Sequence, residues 1–183
     1  MTGDSHRPPR SGCTINATIE VLGDSWSMLV LRDVTFGNRR HFRKLLQGSD
    51  EGIASNIRSS RLKRHVAAGL LTRAEATRGQ RAASSLTEAG IQTPPVIVAM
   101  GNWDLARRDG TRELRVRAEL LRDGGPELIE RFIDELREAN LGIPLSDRDR
   151  PRTSEQLQAA YAALTTGVCR ATESSPLGQD VHW

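Results

Sequence analysis

The sequence predicts a mainly α-helical chain with one small β-hairpin and a helical C-terminal extension. Three observations carry that prediction. Apolar residues recur at helical spacing in four segments before residue 70. Two short runs flank a polar, glycine-containing turn just after the fourth segment. Helical periodicity then resumes beyond Pro94-Pro95 and again beyond residue 110.

Taken in order, residues 1–11 hold two arginines, a histidine and two prolines with little apolar material, and read as a disordered arm. Cys13 to Leu22 places Ile15, Ile19 and Leu22 on one helical face. Gly23 ends that helix, and Asp24 or Ser25 caps a second one with Trp26, Leu29, Val30 and Val34, stopping at Phe36-Gly37. A third, shorter helix carries Phe42, Leu45 and Leu46. After the turn Gly48 to Gly52, a fourth runs from about Ala54 to Ala68 and stops at Gly69. Helix, short turn, helix over residues 41–69 is the plan of a helix-turn-helix unit.

Residues 70–75 and 82–86 read as two strands around Thr77-Arg78-Gly79-Gln80, where glycine supplies the positive φ a tight hairpin needs. A hairpin directly after such a unit, with arginine at its tip, is a wing. A long helix starts near Thr87-Glu88 or Thr93-Pro94 and passes through Val96, Ile97, Met100 and Trp103 to about Arg108. Two more helices follow at about 112–122 and 126–140, the second with Leu128, Ile129, Phe132, Ile133 and Leu136. A charged linker from Pro144 to Pro151, a helix near 154–165 and a loose tail complete the chain. The expected division is a 1–11 arm, a 12–109 winged helix-turn-helix domain for DNA binding and dimerisation, and a 110–183 helical extension without an assigned role.

Composition narrows the function classes. Aromatic residues are 4% of the chain, so the core rests on Leu, Ile, Val and Ala. No apolar run approaches a membrane span and the first residues lack a hydrophobic signal segment, which points to a cytoplasmic, nucleoid-associated protein. Cys13 and Cys169 are far apart and the four histidines are scattered, so neither a zinc site nor a disulfide framework is indicated. The sequence holds no HExxH, GxGxxG, P-loop or GxSxG pattern, so no enzyme, metal or cofactor is expected.

Charge is distributed unevenly. Residues 1–90 carry 14 Lys+Arg against 8 Asp+Glu, whereas residues 91–183 carry 12 against 15. Between positions 39 and 64 there are eight basic residues and two acids, Asp50 and Glu51. Clustering of this kind fits a polyanion-binding front half.

Several stretches together carry a family resemblance. They are Cys13-Thr14-Ile15-Asn16, Leu22 to Asp33, Arg40-His41-Phe42-Arg43-Lys44-Leu45, Gly52 to Ile57, Arg61-Leu62-Lys63-Arg64, Ala68-Gly69-Leu70-Leu71 and Leu86-Thr87-Glu88-Ala89-Gly90. In order and spacing they resemble the HxlR-type winged helix-turn-helix regulators of the MarR-like group, over roughly residues 13–108. The resemblance implies a homodimeric repressor or activator that binds double-stranded DNA at a palindromic operator, with a small-molecule effector or an oxidant as a further partner in some members. It also implies a role for Cys13, which matches the family's N-terminal cysteine. That residue is a candidate redox sensor, or alternatively a small apolar packing residue.

On the fourth helix, Ser55, Asn56, Ser59 and Ser60 are the candidates for reading bases, since small polar side chains permit close approach and an amide can pair with adenine. Arg39, Arg40, Arg43, Lys44, Lys63 and Arg64 suit phosphates, and Arg78 and Arg81 of the wing suit phosphates or the minor groove. Trp26, Ile97, Met100 and Trp103, with Val96, are candidates for a dimer interface or a pocket beside it, a core stripe being the commoner use of such spacing. The chain departs from the family pattern at Thr14, where proline is usual, at Arg58 and His65, where leucine is usual, and at Ser84, near which an aromatic residue is usual. Arg58 and His65 are expected to snorkel from the core's edge. The competing reading is a winged helix that docks a protein partner without operator-specific DNA binding.

Overall fold

The computed structural model describes residues 10–38, 51–73 and 83–173. It is mainly helical with one small sheet, as the periodicities predict, and the expected third helix lies outside the described residues.

Helices α1 (Thr14–Leu22) and α2 (Ser25–Thr35) meet at Gly23, whose N–H donates back to the Ile19 carbonyl at 2.7 Å. Of the two capping candidates, Asp24 starts α2. Its carboxylate accepts the Ser27 N–H at 3.0 Å and the Ser27 hydroxyl at 2.5 Å, so two donors of the first turn are satisfied. Helix α3 (Ser55–Ala67) is followed by Gly69 at φ +70°, the left-handed stop that the sequence suggests.

The wing pairs β1 (Leu71–Arg73) antiparallel to β2 (Ser84–Leu86), with Leu71 opposite Leu86 and Arg73 opposite Ser84. Leu71, Ser84 and Leu86 face inward. Of the two starts that the sequence offers for the long helix, Pro94 is the one used, in α5 (Pro94–Leu105), and a separate single turn, α4 (Glu88–Ile91), precedes it. The prolines explain the division, because Pro94 and Pro95 lack the amide hydrogens that would continue a helix from Glu88. Gly90 packs so closely on the wing's root that a β-carbon there would run into the Leu70 carbonyl oxygen.

Helix α6 (Arg112–Leu141) is divided by Gly125, at φ +62° and ψ −162°, just before Pro126. Its two limbs are the two helices expected beyond Thr111. The last helix, α7 (Thr153–Glu173), reaches further than the sequence suggests. It is seated on α6 by Glu135, a buried carboxylate that accepts the Thr153 N–H at 2.5 Å, the Ser154 N–H at 3.0 Å and the Ser154 hydroxyl at 2.6 Å.

One apolar cluster joins these parts. Leu31 and Val34 of α2, Leu71 and Leu86 of the wing, Ile91 and Val98 meet Leu121, Leu128, Phe132, Ile133 and Leu136 of α6 and Leu157 of α7. Phe36, at the end of α2, stacks on Phe132 with ring centroids 5.0 Å apart. Two of the chain's three phenylalanines thus lie where the winged part meets the extension. Among the described residues, no helix is long and apolar enough to cross a membrane.

Candidate nucleic-acid interface

Helix α3 is polar along most of its length, so burial has to be achieved with unusual residues. Arg58 and His65, 1% and 0% exposed, form its inward face with the partly buried Ile57 and Leu62. The expectation that they snorkel at the core's edge is not met; both are fully enclosed. His65 carries its proton on Nε2, which donates to the Ser27 carbonyl of α2 at 2.9 Å. Burial pushes the imidazole's pKa down, and the bond to Ser27 offsets that only in part. A neutral histidine therefore takes the place of an apolar contact between α2 and α3.

With that face turned inward, Ser55, Asn56, Ser60, Lys63 and Ala67 are exposed on the other side and Ser59 is half-buried. Residues 56, 60, 63 and 67 fall on one line along the helix. Of the candidate base-reading residues, Asn56 and Ser60 therefore share one solvent-facing strip with Lys63, while Ser55 is exposed at the helix start and Ser59 lies half-buried at the strip's edge.

Arg61 and Arg64 are placed differently. Asp24 receives Arg61 Nε at 2.7 Å and Arg64 Nη1 at 3.3 Å, and Arg64 also donates to the Glu20 carbonyl. Burial raises the Asp24 pKa, but the Ser27 and Arg61 hydrogen bonds outweigh it and hold the carboxyl below its usual range. One carboxylate thus caps α2 and pins α3 to the α1–α2 corner. At the far end of α2, Arg32 bridges Asp33 at 2.7 Å and Glu51 at 2.6 Å, which fixes the approach to α3. Sequence reasoning missed both of these anchors; the Asp-Ser-Trp-Ser cap was visible, its second use was not.

Of the other candidates, Arg39, Arg40, Arg43, Lys44, Arg78 and Arg81 lie outside the described residues. Cys13 is exposed at the N-cap position of α1. Trp26 and Ile97 are half-buried, whereas Val96, Met100 and Trp103 are exposed, at 40%, 54% and 57%. A core stripe therefore does not account for the last three. With Ile15 and Ile19 of α1, 69% and 56% exposed, they leave much apolar surface uncovered on α1 and α5. Between them runs an open groove lined by Ile19, Leu22, Met28, Leu29, Val96 and Met100, with Asp24 at its polar end. No group of His, Cys, Asp and Glu able to hold a metal occurs among the described residues.

Comparison with known proteins agrees with this geometry. The HxlR-like helix-turn-helix family model matches residues 21–110. An uncharacterized HTH-type transcriptional regulator of Mycobacterium tuberculosis, Rv3095, is 35% identical over 100 residues, which is 54% of this chain and 60% of that protein. The Mycobacterium bovis regulator Mb3122 matches over the same span at the same identity. This chain thus spans about 60% of the length of the curated relatives it matches. The crystal structure of PA1607, a candidate transcription factor, superposes with a TM-score of 0.50 at 28% identity, covering 56% of this chain and 70% of that one.

Proposed function

We propose, from the match of residues 21–110 to the HxlR-like helix-turn-helix family, that the chain is a member of that family and a DNA-binding transcriptional regulator acting as a homodimer on a palindromic operator. The observation that carries the reading is the orientation of α3. Arg58 and His65 are enclosed, and the exposed strip consists of Asn56, Ser60, Lys63 and Ala67. Such a strip approaches base edges closely in a major groove.

In this reading Ser55, Asn56, Ser59 and Ser60 meet bases and Lys63 meets a phosphate. Arg64 is drawn toward the backbone from its pairing with Asp24. Arg39, Arg40, Arg43 and Lys44 add phosphate contacts ahead of the helix, and Arg78 and Arg81 act from the wing. The exposed side chains of Ile15, Ile19, Val96, Met100 and Trp103, three of which border the same groove, are the proposed dimer face, since large exposed apolar patches mark interaction sites. Two-fold symmetry then sets the half-sites about 34–36 Å apart. Cys13 begins the helix that supplies part of this face and has the exposure an oxidant requires, so oxidation there would act on dimer geometry. The groove beside Met100 is where a small apolar effector would act in the same way.

The test is selection of duplexes from a random pool by the purified chain. Enrichment of an inverted repeat supports the proposal. Recovery of no preferred sequence contradicts it and favours a winged helix that docks a protein partner.

A further inference from the structure

In the antiparallel pair the Thr87 N–H turns toward β1 and donates to the Leu70 carbonyl at 3.0 Å. The neighbouring Leu86 N–H therefore points the opposite way, out of the two-stranded sheet. A strand N–H that points out of the pair has to be met by another strand, a side chain or water. Here it is met by a side chain from the second limb of α6. Asn140 Oδ1 accepts the Leu86 N–H at 3.0 Å, while Asn140 Nδ2 donates to the Leu136 carbonyl at 2.9 Å, so both ends of the amide are used. Which amide atom faces which partner follows from these partners, a donor on one side and an acceptor on the other.

One turn earlier in α6, Arg137 clasps Glu88 with contacts of 2.6, 3.1 and 3.2 Å, at the point where the chain leaves the wing for α4. Beneath both contacts, Phe132 and Leu136 share an apolar cluster with Leu71 and Leu86, the facing pair of the wing. The family match ends at residue 110, well before any of these α6 residues.

From this arrangement we propose that the helical extension is the wing's support. Asn140 is a positioning residue that supplies the acceptor for the Leu86 N–H, and Arg137 holds the wing's exit. Together they set where the wing meets DNA. The inference rests on the DNA-binding reading only for that last step; the support itself is measurable without DNA.

The experiment uses the full chain with Asn140→Ala, Asn140→Asp and Arg137→Gln, and measures backbone hydrogen exchange together with affinity for the selected duplex. Asn140→Ala is expected to speed exchange of the Leu86 amide, and to weaken duplex binding, each by about five- to tenfold, the factor that one net hydrogen bond carries. Exchange in α2 and α3 should stay as in wild type. Asn140→Asp keeps an acceptor and should restore slow exchange and affinity. Arg137→Gln, which changes an exposed pair and leaves the core intact, should speed exchange around Glu88.

Unchanged Leu86 exchange in Asn140→Ala would overturn the support. Faster exchange spread evenly over the molecule would overturn it too, since that marks general destabilisation. Faster local exchange with unaltered affinity would overturn the link to DNA while the DNA-binding reading stands. If the wild-type chain selects no duplex but Asn140→Ala exchanges faster at Leu86, the DNA-binding reading fails and the support holds.

Discussion

His65 makes the fold sensitive to mild acid, and the effect has a defined sign. In the folded chain the imidazole is fully enclosed between α2 and α3 and burial holds its pKa below the ordinary value of 6.5. In the unfolded chain it takes up a proton near that ordinary value. The unfolded state therefore binds more protons as pH falls below 6.5, and stability falls with it. The contribution is fully present above the unfolded pKa and is lost progressively down to the depressed folded value, where it levels off. One proton sets a limiting slope of about 1.4 kcal/mol per pH unit, so the step from pH 6.5 to 5 removes up to about 2 kcal/mol.

The carboxylates with lowered pKa, Glu20, Asp24, Glu88, Asp123 and Glu138, have ordinary values of 3.8 to 4.5 and act mainly below that window. The assay is urea unfolding at pH steps from 7.5 to 5, on wild type and His65→Leu. The two proteins share the other three histidines, so the difference between the two slopes isolates His65. At pH 7.5 the variant should lie near wild type, since a net hydrogen bond worth about 1 kcal/mol is exchanged for a buried leucine. By pH 5 it should be the more stable of the two. Parallel pH profiles would refute the reasoning and would mean that His65 is not held neutral.

Three other outcomes follow from the packing and the proposed interface. Phe132→Ala removes the ring stacked on Phe36 and should cost about 3–5 kcal/mol in chemical unfolding, a larger loss than any surface change. Met100→Glu places a charge on the uncovered α1–α5 surface and should shift the chain toward monomer in light scattering, with unchanged helicity. Mild oxidation should alter DNA binding of wild type and leave Cys13→Ser unaffected; equal responses would remove Cys13 from the account.

Much of the architecture was legible because it rests on local signals. Gly23 followed by Asp24 marked the α1–α2 corner, Gly69 marked the end of α3, and the two limbs of α6 were expected as separate helices. The enclosure of Arg58 and His65 was not legible, because a basic residue on a helix is usually solvated and only the tertiary contact between α2 and α3 decides otherwise. Met100 and Trp103 misled in the opposite direction. Helix α5 is apolar around most of its circumference, so periodicity could not select the face that stays open. The contacts of Asn140 with Leu86 and of Arg137 with Glu88 join residues 54 and 49 positions apart, and no spacing rule reaches that far.

The central claim is that the outward strip of α3 reads bases, and one comparison tests it most directly. Asn56→Ala and Lys63→Ala are titrated on the selected duplex and on a scrambled one across several salt concentrations. Loss of the Asn56 amide should cost about 1–3 kcal/mol on the selected site, far less on the scrambled one, and leave the salt dependence unchanged. Loss of the Lys63 charge should weaken both duplexes together and reduce the slope of log K against log salt by about one unit. Equal weakening of both duplexes by Asn56→Ala would contradict the account, because the strip that the buried Arg58 and His65 leave exposed would then bind DNA without reading it.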